Sequence, residues 1–123
     1  MTKKSENYNL EPRTIKFSGD VISFLKKLKR DAINSPLINQ LVRSSTSVGA
    51  NYCEANGASS RKDFKNKIYI CKKECKETKY WLEIIARANE EHADQCRVLW
   101  KEAQELTMIF SKIILTLEKK SKD

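Results

Sequence analysis

The chain has 123 residues with only three glycines and two prolines, and 24 Lys and Arg face 16 Asp and Glu for a formal net charge of +8. That length builds one core and not two, and a composition poor in turn residues but rich in Leu, Ile, Ala, Lys and Glu excludes a turn-rich sheet, so a single all-α domain is expected. One histidine, four cysteines without a C-x-x-C pair and no apolar run near the ~20 residues of a membrane helix argue against a metal centre, a cofactor site or a membrane partner; nothing at the start reads as a signal or transit peptide, and a reducing, cytoplasmic location is expected.

In chain order, residues 1–11 lack periodicity and are expected to form a flexible tail ahead of a domain spanning 12–119. A first helix is predicted from about Pro12 to Ile33, with Phe17, Val21, Phe24, Leu25, Leu28 and Ala32 on one arc and Gly19 as its weak point. Asn34-Ser35-Pro36 then reads as a turn, with Ser35 capping and Pro36 opening a second helix that runs to about Asn56. This helix buries Leu37, Leu41, Val48 and Ala55, and its small middle, Ser44 to Ala50, allows a neighbour to approach closely. Asn56-Gly57 is predicted to end it in a left-handed conformation.

Ser59 or Ser60, with Asp63 following, opens a third helix that continues to about Ala88. At 100° per residue it carries three faces. Phe64, Ile68, Cys71, Cys75, Leu82, Ile85 and Ala86 form the core stripe, so Cys71 and Cys75 are expected as buried free thiols. Roughly 120° away by the same helical count lie Arg61, Lys62, Lys65, Lys72, Lys73, Lys76, Lys79 and Arg87, with Tyr69 and Tyr80 among them. The remaining sector holds Ile70, Trp81, Ile84 and Ala88 beside Glu74 and Glu77, a mixture suited to a subunit contact, to which Tyr52 can add. An acidic link, Glu90 to Asp94, leads to a fourth helix with the stripe Leu99, Ala103, Leu106, Phe110, Ile113, Ile114 and Leu117. Lys119, Lys120 and Lys122 follow its end, and residues 120–123 are expected to form a short basic C-terminal tail. Four helices with short connections predict an antiparallel up-down-up-down four-helix bundle.

Charge is uneven along this plan. Residues 61–89 hold nine cations against four carboxylates and residues 1–35 eight against four, whereas residues 90–123 hold six against seven. Such asymmetry suits RNA, DNA or an acidic protein partner. Lys62, Lys65, Lys72, Lys73, Lys76 and Lys79 are the expected phosphate contacts, with Tyr69 and Tyr80 stacking on unpaired bases; the competing reading is a solvated lysine face with the tyrosines under lysine stems. Glu74, Glu77 and Trp81 lack the second acid, base or ligand that catalysis needs, and are read instead as a structural or oligomer-forming network with Arg43, Asn51, Glu54 and Ile84.

Three blocks, Gln40-Leu-Val-Arg43, Ser47-Val-Gly-Ala-Asn-Tyr-Cys-Glu-Ala55 and Lys73-Glu-Cys-Lys-Glu-Thr-Lys-Tyr-Trp-Leu82, resemble the bacterial four-helix-bundle family of 23S rRNA intervening-sequence proteins. The chain departs from the usual family pattern at Gly49, where many members have Pro, and at Glu54-Ala-Asn-Gly57, where Glu-Gly is usual. The resemblance implies a small non-enzymatic bundle. A related bundle, the accessory protein of diversity-generating retroelements, is a basic five-subunit ring that partners a reverse transcriptase and nucleic acid. By that analogy a homo-oligomeric ring, a pentamer, and a reverse-transcriptase-like partner are expected here.

One rival reading comes from Arg87-Ala-Asn-Glu-Glu-His92, which resembles the Arg-x4-to-x6-His pattern of the HEPN ribonucleases and would make His92 the acid or base and Arg87 the phosphate clamp of a metal-independent nuclease. The polar residue usual after that arginine is replaced by Ala88. A purely structural protein-interaction bundle is the other alternative. The serines of residues 44–47 have no base at a readable spacing, and Gly19, Gly49 and Gly57 are too scattered for a phosphate loop.

Overall fold

The computed structural model describes residues 9–122, which form four helices: α1 (Glu11–Leu25), α2 (Asn34–Asn56), α3 (Arg61–Ala88) and α4 (Ala93–Lys122), with a single 3-10 turn, Glu90–His92, between the last two. Side-chain pairs fix the topology. On α2 and α3 the pairs Asn34–Asn89, Ser44–Thr78 and Glu54–Lys67 run in opposite senses, as do Lys79–Gln104 and Tyr69–Glu118 on α3 and α4. Ser18 pairs with Ser45, and Arg13 with Glu102 while Phe24 meets His92, so α1 is antiparallel to both α2 and α4. Each helix packs on its two neighbours around one core, the up-down-up-down bundle that the apolar spacing predicts.

The core is built from the predicted stripes. Val21, Leu41, Val48, Ile68, Cys71, Cys75, Leu82, Ile85, Leu106 and Phe110 are completely enclosed. The small middle of α2 does what small residues permit. Thr14 of α1 approaches so closely that a Cβ on Gly49 would meet its Oγ1 at 3.0 Å, and on the other flank the Thr78 hydroxyl donates to Ser44 Oγ at 2.9 Å. Among the described residues, no helix is long and apolar enough to cross a membrane.

Several boundaries differ from expectation. The first helix stops at Leu25 instead of Ile33: Lys27 and Leu28 donate three residues back, to Phe24 and Leu25, and this tight turn drops Leu28 into the core while leaving Ala32 exposed. Residues 26–31, Lys-Lys-Leu-Lys-Arg-Asp, offer a longer helix one apolar side chain to bury, whereas the turn brings Asn34 inside. The cap of α2 is Asp31 and not Ser35, its carboxylate accepting from the Ile33 and Asn34 N–H groups at 3.1 and 2.8 Å. Gly57 closes α2 with φ −99°, on the right-handed side, and its N–H donates to Glu54 at 3.1 Å. Ser60 caps α3 as expected, accepting from Asp63 N–H at 3.0 Å.

At the ends, the expected N-terminal tail falls mostly on residues 1–8, outside the described residues; Leu10 is already core, and its N–H donates to the Tyr52 hydroxyl at 3.3 Å. Helix α4 continues through Lys122, so Lys119, Lys120 and Lys122 belong to its last turns, where cations suit the helix dipole.

Candidate nucleic-acid interface

Helix α3 is fixed in rotation by its buried side. Ile68, Cys71, Cys75, Thr78, Leu82 and Ile85 face the core, and the Cys71 thiol donates to the Val48 carbonyl at 3.4 Å. The same helical count therefore turns the basic arc to the outside of the α3–α4 half of the bundle. Lys62, Lys73 and Lys76 are exposed, and Lys65 and Lys72 are half-buried. Among the described residues, ion pairs fall on Arg13, Lys16, Arg43, Lys67 and Arg97, and none falls on these five lysines. Lys67 lies well away from the arc, on the α2 side of the helix, and meets Glu54 at 2.8 Å.

Two members of the arc are committed to α4. Lys79 donates to Gln104 Oε1 at 2.5 Å and stands 5.2 Å over the Trp100 ring, so it is partly spent in the α3–α4 seam. The Tyr69 hydroxyl donates to Glu118, a bond that raises its pKa above the ordinary tyrosine value. Tyr80 keeps 55% of its surface exposed and makes a T-shaped contact with Trp81, ring centroids 5.0 Å apart, one helical turn beyond Lys76. Trp100, the aromatic that gives this seam its wall, escapes a single-helix count because it sits on α4 at the margin of its stripe; Trp100 Nε1 donates to Glu83 at 3.2 Å.

Glu74 and Glu77 of α3 face the other way, toward α2, whereas Glu83 interrupts the basic arc on the α4 side. Arg43 of α2 lies 3.4 Å from Glu74 and in direct contact with Glu77, and Trp81 Nε1 donates to Glu77 at 2.9 Å. Glu74 is only 8% exposed. The indole N–H first, and then the guanidinium, hold the Glu77 carboxyl below the usual carboxylate range. Arg43, Glu74, Glu77 and Trp81 are thus linked by direct contacts, with Ile84 half-buried nearby on the helix.

Asn51 and Glu54 do not join it: Asn51 donates to the Ser47 carbonyl of its own helix at 2.8 Å, and Glu54 is taken by Lys67. Tyr52 does not add to an outer apolar sector either. It belongs to the core beside Phe110, ring centroids 6.2 Å apart, because it follows Val48 by one helical turn. The large apolar side chains most open to solvent are Ile15, Ile33, Val98, Met108 and Leu115; Met108 and Leu115 are spaced i, i+7 on α4, a signal the sequence carries but the search for the core stripe passes over.

His92 meets Phe24 in a T-shaped contact, ring centroids 5.9 Å apart, and among the described residues no hydrogen bond joins it to Arg87. Burial raises the thiols of Cys71 and Cys75 to about 12 and that of Cys96 to about 11, which leaves them protonated at neutral pH. Among the described residues, no three His, Cys, Asp or Glu side chains converge as a metal site.

Comparison with known proteins agrees with this architecture. The family model described as 23S rRNA-intervening sequence protein matches residues 6–112. A crystal structure at 1.70 Å of a protein with unknown function from the S23 ribosomal protein family of Bacteroides thetaiotaomicron is similar, with 31% identity over 85% of this chain and 97% of that one and a TM-score of 0.76. No curated protein matches the chain.

Proposed function

This chain belongs to the 23S rRNA-intervening sequence protein family, and on that premise we propose that it is a non-enzymatic scaffold whose α3 face binds nucleic acid. The observation that carries the reading is the contrast between two sides of α3: Lys62, Lys65, Lys72, Lys73 and Lys76 share an outer arc with no ion pair, while on the α2 side Lys67 pairs with Glu54, and Glu74 and Glu77 pair with Arg43 of α2. Unpaired ammonium groups along one rod lose little by meeting phosphates and release the counterions those phosphates held. Tyr80, more than half exposed, adds an aromatic side chain for stacking. An acidic protein partner would use the same charges but not the ring.

Self-association is part of the proposal. Trp81 and Ile84 are half-buried on the flank that carries the Arg43–Glu77 pair, and a second copy would cover that flank in a closed homo-oligomer. Light scattering and the ratio of absorbance at nucleic-acid and protein wavelengths, measured together on protein purified at moderate salt without nuclease treatment, test both statements. A multiple of the 14.3 kDa chain mass that carries nucleic acid is expected. A nucleic-acid-free monomer that also fails to bind added RNA or DNA overturns the reading.

A further inference from the structure

The basic arc runs into a groove at the α3–α4 hairpin end, and we infer that this groove seats the base and phosphate of an unpaired nucleotide. The inference deepens the proposed function and rests on it. The groove measures about 600 Å³ and is open to solvent. Small residues leave room for it: Ala86 on α3 and Ala93 and Cys96 on α4 form part of its lining, together with the buried Leu82. One wall is the Trp100 indole, held by its hydrogen bond to Glu83 and by Lys79 at 5.2 Å from the ring. A ring locked in this way loses little conformational freedom when a base packs on it.

Cations surround the same opening. Arg87 from α3 and Lys101 from α4 line it without an ion pair, and Arg97 has only the exposed Asp94 at 3.3 Å. Glu83 and Glu90 are its acidic members, and Glu83 is engaged by the indole. A flat apolar wall beside three guanidinium or ammonium groups suits a ligand with a planar ring and an anion one sugar away, which is the chemistry of a nucleotide. A base inside a duplex is stacked on both faces and cannot enter, so the groove selects an unpaired strand. Arg87 also follows Lys76, Tyr80 and Glu83 on the outer face of α3 at spacings of three and four residues, so a strand lying along the lysines would arrive at the groove.

The test compares a single-stranded RNA of about 12 nucleotides, within the usual site size of such surfaces, with its own duplex. Fluorescence anisotropy on the full chain and quenching of Trp100 in a Trp81→Phe background provide the readouts. Wild type is expected to prefer the single strand about tenfold, and Trp100→Leu to abolish that preference. Should Trp100→Leu fail to fold, the exposed pair Arg97→Gln and Lys101→Gln serves instead, with an expected loss of quenching by the strand.

Equal affinity of wild type for strand and duplex overturns the groove but leaves the lysine arc standing. Absence of any nucleic-acid binding overturns both. Quenching by adenosine monophosphate without a preference for the strand overturns the strand assignment and moves the site to a free nucleotide.

Discussion

The carboxamides of Asn34 and Asn89 face each other inside the bundle and exchange two hydrogen bonds, of 3.0 and 2.9 Å. Each amide nitrogen spends its other proton on a main-chain carbonyl, Asn34 on Lys29 at 2.8 Å and Asn89 on Ile85 at 3.1 Å. The pair ties the α1–α2 connection, the start of α2 and the end of α3 into one unit, beside the groove end of the bundle. Replacing Asn34 by Ala leaves Asn89 buried with half its partners, and a loss of about 1–3 kcal/mol in urea unfolding is expected. The double replacement of both by Leu is expected to cost much less than twice that, and additive losses would show that the two amides act independently.

The Glu77 carboxyl, lowered by Trp81 and Arg43, links the outer network to pH. A carboxylate with a depressed folded value stabilises above its ordinary range and loses that contribution as pH falls through the folded value. Wild type is therefore expected to be more stable than Glu77→Gln at pH 7, and the gap to close as acid takes the pH below the ordinary Glu value of about 4.3. A gap that persists unchanged at about pH 2 contradicts the ion pair as its source.

Glycines 19 and 49 make opposite predictions. A Cβ at Gly19 meets nothing within 4 Å, so Gly19→Ala in mid-helix is expected to stabilise by about 0.5–1 kcal/mol. At Gly49 the new Cβ would lie 3.0 Å from the buried Thr14 hydroxyl, and Gly49→Ala is expected to forfeit that gain through displacement of α1 from α2. Thermal unfolding of the two variants side by side checks the contrast; equal stabilisation would mean that the α1–α2 approach is looser than described.

Thiol chemistry separates Cys53 from the rest. It is exposed, whereas Cys71, Cys75 and Cys96 are buried. Titration of the native protein with an aromatic disulfide reagent is expected to give one reacting thiol, itself slowed because its bond to Glu11 raises its pKa, and the remainder only on unfolding. Fast modification of a second thiol would indicate that the core opens.

Much of this molecule is written in helical periodicity. The rotation of α3 follows from Ile68, Cys71, Cys75, Leu82 and Ile85 alone, and with it the outward direction of the lysines. Contacts between elements are another matter. Lys79 looks like its neighbours in the sequence and differs only because Gln104 and Trp100 arrive from α4. The same holds for the Asn34–Asn89 pair, since polar residues 55 positions apart leave no periodic trace. The end of α1 is hidden because Lys26, Lys27, Lys29 and Arg30 all favour helix, and only the capture of Leu28 and the Asp31 cap decide against it.

The arc itself is tested most directly by the salt dependence of binding to single-stranded RNA, comparing wild type with a variant in which Lys65, Lys72, Lys73 and Lys76 are all Gln. Each lost phosphate contact removes about 0.7 from the slope of log affinity against log salt, so a slope flatter by about three with unchanged helicity is expected. An identical slope in the two proteins would contradict the assignment of α3 as the nucleic-acid face.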